Sequence, residues 1–510
     1  MTGDAPAGTR LTAGRRSREL DAVADEVVDV LVIGGGVTGC GVALDAASRG
    51  LSVALLEQAD LAHGTSRWSS KLVHGGLRYL AEHDWDLVRE SARERDLLLR
   101  RTAPHLVRAL PMAVPLGPDV GRREAMVFDL GHRVADGFRL AAGTPRGALP
   151  RPRRLGVPET TRLLPGVRRD GLRGALLNWD CQLEDDARLV VALARTAASY
   201  GARVLTRVRV LSADGEGADA VDTRTGAGLR LRARAVVNAT GAWADTLAPQ
   251  TRLRPSKGVH VVLDARTLGR PTAAMTVPVP GEHNRFVFAL PHPDGLVHVG
   301  LTDDALDGPV PDLPRAEEPE IAFLLDTLSR GLERPLSRGD VIGSWAGVRP
   351  LLAGAEGSTA DLSRRHACVT GDDGMISLLG GKLTTYRRMA QDAVDLLTDR
   401  PCRTPWLPLV GAAAVVGAVG GPGAPERLVR RYGSEAGDVA ALGQGRPDLL
   451  APVAPGVPVL GVELLWGVRA EGALTAADLL ERRTRLSLVD AWHEAARPAA
   501  DALLAAAAFA

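Results

Sequence analysis

Residues Val27–Ile33 read VVDVLVI, an apolar run of strand length that stops at three glycines, the pattern of a parallel strand buried on both faces. Over 37–49, alanines and leucines recur at helical spacing until Gly50, a residue suited to the position just past a helix end. LSVALLE then predicts a second strand. Further on, 84–101 reads as a charged amphipathic helix, the stretch to about 173 is Pro/Arg-rich and poorly periodic, and 185–200 is helical again. RVLTRVRVL and LRLRARAVVNATG predict strands, and VHVVL, RFVFAL and LVHVGL an antiparallel sheet. After a helix at 321–332, VIGSWAGVRP and GMISLLGGK predict two more strands, followed by a helix at 383–397. Beyond a Gly/Ala/Pro-rich stretch at 411–425 the pattern is helical only, with Thr475 placed to cap one helix.

These patterns divide the chain into three parts. Residues 1–26 lack periodicity and predict a flexible tail; 27–400 form one α/β unit; 401–510 form a helical unit. Within 27–400, about 27–110, 186–250 and 341–400 read as nucleotide-binding, and about 111–185 and 251–340 as substrate-binding.

Composition narrows the functional classes. The 510 residues carry 62 basic and 61 acidic side chains, without the lopsided basic surface that a nucleic-acid partner calls for. Four cysteines with no C-x-x-C pair argue against a structural zinc site or a disulfide framework, so no metal is expected. Arg15-Arg16 is followed by acidic SRELDAVADE where an export signal needs an apolar segment, and no apolar run reaches the ~20 residues of a membrane span. The expected location is cytoplasmic, peripheral at most on the inner face of the cell membrane. Only three of the basic residues are lysines: Lys71, Lys257 and Lys382. Where Arg serves almost everywhere, a retained Lys points to a place where a compact ammonium is required.

Gly34-Gly35-Gly36-Val37-Thr38-Gly39 gives G-x-G-x-x-G at a strand-to-helix junction. Gly34 allows the tight turn, Gly36 the approach of a pyrophosphate, and Gly39 close packing of helix on sheet; Val37 and Thr38 open the helix whose positive end faces the phosphates. Glu57 ends the second strand, 21 residues past Gly36, placed to accept hydrogen bonds from a ribose. An NAD domain would run on through regular βαβ units. Here the strand leads into ADLAHGTSRWSSKLVHGGLRYL, and VVNATGAWAD returns the chain to the nucleotide at Thr240, Gly241 and Trp243. That layout favours a permanently held FAD.

VIGGGVTGCGVALDAASRGLSVALLE, TSRWSSKLVHGGLRYL, DCQLEDDARL, VVNATGAWAD, GVRPLL and GGKLTTYR, in this order, resemble the FAD-dependent glycerol-3-phosphate dehydrogenases, the aerobic quinone-reducing enzymes of bacteria and their mitochondrial relatives. The resemblance covers about 27–400, and RYG with VELLWGVRAEGALTAADLLERRTRLSL resembles that family's C-terminal helical domain. The short Gly/Ala-rich region at 402–425 and the Arg-rich N-terminal tail depart from the pattern. The implied fold is an FAD-binding Rossmann-like domain of the D-amino-acid-oxidase or glutathione-reductase type, with an inserted mixed or antiparallel substrate sheet and an all-α C-terminal domain. The implied reaction oxidises sn-glycerol 3-phosphate to dihydroxyacetone phosphate, with hydride to the flavin and electrons on to a membrane quinone.

The resemblance also assigns residues. His260 is the implied general base or substrate-orienting group, and Arg349 and Lys382 complete the catalytic set. Arg78, Tyr79, Thr302, Asp303 and Thr384 join these three around the substrate. Thr65, Ser66, Ser69, Ser70, Lys71, His74, Gly75 and Gly76 form the implied flavin-contacting loop, and Gly381, Lys382, Leu383, Thr384 and Arg349 meet the flavin from the other side. On residue chemistry, an Arg grips phosphate bidentately, while an unperturbed His with pKa ~6.5 is suited to take a hydroxyl proton.

Two other readings compete. An amine or amino-acid oxidase of the D-amino-acid-oxidase type using oxygen would want one Arg on a carboxylate, without the cluster of Arg78, Arg349 and Lys382. A non-catalytic FAD scaffold or RNA-modification partner would want a basic stripe. The stretch 122–140, mixing Met126, Phe128, Leu130, Val134 and Phe138 with arginines, reads as a packed helix with a solvated face, or as a bilayer-surface helix. The Ala-rich C-terminal helix is a candidate homodimer surface.

Overall fold

The computed structural model describes residues 7–76, 84–282, 285–353, 365–412 and 424–508. The apolar run Val27–Ile33 lies inside an eight-stranded sheet ordered His366–Thr370, Ile376–Gly380, Gly228–Asn238, Val27–Ile33, Val53–Glu57, Arg203–Thr206. Along that path every pairing is parallel except the one to the edge strand His366–Thr370. The hairpin Val208–Asp214 and Gly217–Asp222 adds to Gly228–Asn238. Helix Val37–Ser48 is buried along nearly its whole length between Asp186–Ser199 and Tyr386–Asp395. Two glycines permit its position. Gly34 has φ +112°, and a Cβ there would lie 2.6 Å from the Ala239 carbonyl oxygen; a Cβ on Gly39 would strike the Gly34 carbonyl.

The second sheet has ten strands and is mixed: Val107–Pro115 and Ala274–Pro278 pair in parallel within an otherwise antiparallel array. Helix Glu318–Ser329 supplies Ile321, Leu324, Leu325 and Leu328 to the core on one face of it. Strand Val341–Arg349, expected in the nucleotide-binding part, instead pairs antiparallel with Ser256–Asp264 in this second sheet. Its alternate side chains complete that sheet's buried surface, which is why it belongs there. Leu72–Val73 and the start of Val107–Pro115, also expected in the nucleotide-binding part, pair in this sheet too.

The expected flexible tail is corrected for its described part. Helix Ala13–Asp25 is capped by Thr12, whose hydroxyl accepts from the Arg15 N–H at 3.1 Å, and it buries Leu20 and Val23. Arg16 is buried too, paired with Asp222 at 2.7 Å. An amphipathic period hidden among arginines defeats a purely compositional reading. The Pro/Arg-rich region likewise contains the 20-residue helix Arg122–Ala141.

Glu426–Tyr432, Gly461–Ala470 and Asp490–Ala508 are helical, and the Asp478 N–H donates to Thr475 Oγ1 at 3.2 Å, the expected cap. This unit docks through buried ion pairs. Asp60 takes Arg482 and Arg483 at 2.7 and 2.8 Å, Asp185 takes Arg431 at 2.8 Å, Asp294 takes Arg427 at 2.7 Å, and Glu471 takes Arg188. Charges removed from water at this cost are tolerated only when paired.

Candidate active site

The two sheets meet over a cavity of about 880 Å³ that runs from the glycine turn to Arg349 and Lys382. Its far wall is made by two paired strands. Ser256 faces Arg349, Gly258 faces Gly347, and His260 faces Trp345 in the register of Ser256–Asp264 with Val341–Arg349. Because side chains alternate, these six residues share one face. The glycines make the room that the large groups occupy. A Cβ on Gly258 would collide with the Arg349 guanidinium, one on Gly347 with Trp68, and one on Gly300, opposite His260 on the other neighbouring strand, with the imidazole.

Arg349 is aimed by three acceptors: Asp303 Oδ1 at 3.1 Å, Ser256 Oγ at 3.2 Å and the Thr302 carbonyl at 3.1 Å. His260 lies flat on Trp345, centroids 4.7 Å apart and planes 5° apart, and its Nε2 is 2.8 Å from Ser70 Oγ. Burial, with Lys71 and Arg349 adding like charge, holds this imidazole well below the usual histidine range, so it is neutral. Lys382 precedes the turn Leu383–Thr385 and donates to Ser91 Oγ at 3.1 Å. Glu57 accepts from the Gly35 and Ala59 N–H groups, both at 2.7 Å, yet burial pushes its carboxyl up to about 7.

Most of the expected residues line this one cavity. They are Gly34, Gly36, Val37, Thr38 and Glu57 at one end; Thr65, Ser66, Ser69, Ser70 and His74 along the loop; Thr240, Gly241 and Trp243 on the return; and His260, Asp303, Arg349, Gly381, Lys382, Leu383 and Thr384 at the other end. Five do not. Gly39 packs helix on turn. Gly75 gives its N–H to Asp180 at 3.0 Å, with Arg95 filling the space beside it, and Gly76 follows away from the cavity. Thr302 is buried, its hydroxyl accepting from the Val259 N–H at 3.1 Å. Lys71 turns its ammonium away, to Asp186 at 3.3 Å. Arg78 and Tyr79 lie outside the described residues. Lys257 pairs with Glu317 and Glu320 at 3.1 Å, away from the site.

Sequence reasoning missed Trp68, Ser256, Gly258, Gly300 and Trp345. A signal existed for the strand residues: Gly258 stands two before His260, and Trp345 and Gly347 stand four and two before Arg349, the spacing of one strand face.

The cavity fits FAD. Helix Val37–Ser48 starts at Gly36, which has no side chain to cap it; Ser66 Oγ accepts from the Val37 N–H at 2.9 Å, and this helix end lines the cavity, where it would hold a phosphate. Glu57 lines the same cavity and would be the residue to hold a ribose, and the volume lies within the ~300–1,000 Å³ of cofactor-sized sites.

A family profile described as FAD dependent oxidoreductase matches residues 29–387, and this fold and site are those of that class of flavoenzyme, with FAD as the cofactor. A second profile, the C-terminal domain of alpha-glycerophosphate oxidase, matches residues 402–508. Glycerol-3-phosphate dehydrogenase 1 of Mycobacterium tuberculosis is 51% identical over 498 residues, covering 95% of this chain and 96% of that protein. The chain belongs to the FAD-dependent glycerol-3-phosphate dehydrogenase family. The probable mitochondrial glycerol-3-phosphate dehydrogenase of Dictyostelium discoideum is 34% identical, over 91% of this chain and 78% of that one. Among solved structures, the glycerol-3-phosphate dehydrogenase of Bacillus halodurans complexed with FAD superposes with TM-score 0.73 at 29% identity, covering 96% and 94% of the two chains.

Proposed function

We propose that this enzyme oxidises sn-glycerol 3-phosphate to dihydroxyacetone phosphate and passes the electrons to a membrane quinone. The observation that carries the reading is the convergence of Arg349, Lys382 and a neutral His260 on one cavity. A phosphate dianion wants two cations, and Arg349, fixed by Asp303 and Ser256, offers a preorganised fork. Lys382 adds a point charge on the lining of the same cavity. The secondary alcohol must lose one proton and one hydride to become a carbonyl. His260 receives the hydroxyl proton at Nε2, the nitrogen that now faces Ser70 Oγ. Bound FAD supplies the hydride acceptor. Trp345, flat against the imidazole, fixes its plane, and burial excludes water from it.

The quinone half of the reading is supported by helix Arg122–Ala141. It contributes Phe128, Gly131, His132 and Val134 to the cavity wall, while Met126 and Leu130 are 66% and 63% exposed. An apolar patch beside the cavity mouth, flanked by Arg122, Arg123 and Arg133, suits a peripheral seat on an anionic bilayer. Among the described residues no helix is long and apolar enough to cross a membrane.

Anaerobic titration tests the first half. The flavin band should bleach with sn-glycerol 3-phosphate and not with glycerol or a D-amino acid; bleaching by the amino acid would transfer Arg349 to a carboxylate. Turnover with a quinone in anionic vesicles, against turnover with oxygen alone, tests the second.

A further inference from the structure

The loop 67–70 carries Trp68, Ser69 and Ser70 into the cavity, and Ser70 holds the His260 ring. What holds the loop comes largely from the C-terminal helical unit. Arg485 sends Nη2 to the Arg67 carbonyl and lays its guanidinium over the Trp68 ring, 5.1 Å from the centroid. Its other arm, Nη1, is tied to the Glu481 carbonyl at 2.8 Å. Glu481 in turn takes Arg67 at 2.7 Å, and Arg67 stacks on Trp68 at 4.3 Å. Trp68 is thus gripped by two guanidiniums, one from its own loop and one from the C-terminal unit.

The same segment backs the wall on which His260 rests. Leu488 and Val489 pack with Trp345, and the Leu488 carbonyl lies where a Cβ of Gly343 would be. Arg485 itself is 6% exposed and has φ +63°, a left-handed conformation that costs a non-glycine residue on the order of 1–3 kcal/mol. A strained, buried arginine is costly for an element that merely covers a sheet.

We infer that Arg485 is a positioning residue for catalysis: through Arg67 and Trp68 it sets the loop that places Ser70 against His260, so the C-terminal unit completes the active site. Nearby charges accompany it. Asp185 and Asp186 lie 3.8 and 3.9 Å from its Nε, and Asp186 accepts from both the N–H and the hydroxyl of Ser69, at 3.0 and 2.8 Å. Arg349 and Lys382 lie outside this clamp, so substrate affinity should be spared while the rate falls.

The inference rests on the proposed reaction, and the test separates the two. Full-length wild type, Arg485→Met, Arg485→Lys and Arg195→Met are compared for FAD content, Tm, and kcat and KM with sn-glycerol 3-phosphate. Arg195 is the control, a buried arginine that pairs with Glu435 at the same junction and touches nothing in the loop. If wild type does not turn over, the proposed reaction fails, not the clamp. With an active wild type, Arg485→Met should keep its FAD and lose roughly 10- to 100-fold in kcat with KM within threefold, as for a catalytic group displaced by about 1 Å. Arg195→Met should lower Tm and leave kcat within twofold. Equal kcat losses in both variants, or none in folded Arg485→Met, overturns the inference. If Arg485→Met does not fold, Arg485→Lys decides, because an ammonium keeps the charge but cannot span Arg67 and Glu481 together. A kcat within twofold of wild type in that variant overturns the inference as well.

Discussion

Gly300→Ala adds one methyl group at the back of His260. Gly300 pairs with His260 on one side and Phe288 on the other, so its backbone is fixed by two neighbouring strands. The new Cβ would collide with Cδ2 of the imidazole and lie 2.6 Å from Nε2 and 2.8 Å from Cγ. Comfortable contact needs ~3.5 Å and Cδ2 is the nearest atom, so the ring must move by at least about 1 Å. It cannot simply slide away, because its plane already rests on Trp345. It must tilt, and tilting breaks the 2.8 Å contact with Ser70. A misplacement of about 1 Å costs roughly 100-fold in rate, or about 2.7 kcal/mol at the transition state. Overpacking should cost a further ~1–3 kcal/mol of stability, within reach of a folded enzyme. Stopped-flow flavin reduction by sn-glycerol 3-phosphate under anaerobic conditions reads the rate, and the visible spectrum reads FAD content. The expected result is full FAD occupancy with reduction slowed about 100-fold. Reduction within threefold of wild type in the FAD-loaded variant would refute the placement of His260 at the reacting centre.

Asp60→Asn should destabilise strongly, by roughly 3–5 kcal/mol, since it leaves Arg482 and Arg483 buried without their shared carboxylate. Burial alone would raise the Asp60 carboxyl, but the two guanidiniums outweigh it and hold it far below the usual range. Its contribution is therefore present above pH ~4 and lost only as the pH falls through that lower value, so the Tm loss in the variant should be constant between pH 6 and 8. A loss that vanishes at the upper end would contradict the assignment. His260, His298, His105 (about 3) and His132 (about 4) are all lowered, chiefly by burial. Below pH ~6.5 the unfolded chain takes up protons that the native state refuses, so each of these removes up to ~1.4 kcal/mol of stability per pH unit. Burial also raises Glu57, to about 7, and Glu90 and Asp180, which act in the opposite sense, but the lowered imidazoles, joined by His63 and His292, outnumber them. Tm should drop between pH 7 and 5.5; a flat or rising profile counts against neutral buried imidazoles. Arg349→Lys cannot span Asp303, Ser256 and the substrate at once and should raise KM for sn-glycerol 3-phosphate about 10- to 100-fold, measured by steady-state kinetics. An unchanged KM would remove Arg349 from the phosphate.

Much of this was legible because the chemistry sits at element ends. Gly34, Gly36 and Glu57 mark strand-to-helix and strand-to-loop junctions, and local pattern fixes those. The loop 65–70 and the turn 381–384 were legible only as motifs, since nothing in their spacing says that they line one cavity. What could not be read is long-range. That Val341–Arg349 lies beside Ser256–Asp264 depends on pairing across some ninety residues, and an edge position in one sheet or another leaves the same alternation in the sequence. Helix Ala13–Asp25 escaped for a different reason: Arg16 is buried by its partner Asp222, and a composition-based reading counts every arginine as solvated.

The three lysines show how far such a reading can go when the reason for it is physical. Lys257 makes an ordinary ion pair at a helix start, where Arg would serve equally well. Lys382 lines the cavity with its ammonium 3.1 Å from Ser91, in a wall shared with the glycines of the turn. Lys71 is 1% exposed, its ammonium 3.3 Å from Asp186 and 4.6 Å from the Trp345 ring centroid; burial brings its pKa down to about 8. It was expected at the flavin and stands instead behind the wall, where a positive charge helps keep His260 deprotonated. A guanidinium would not do this in the same space. The adjoining void is only about 20 Å³ and is already rimmed by Arg427, Arg431 and Arg485. The scarcity of lysine therefore marks one position on the cavity wall, Lys382, and one behind that wall, Lys71, where size limits the cation.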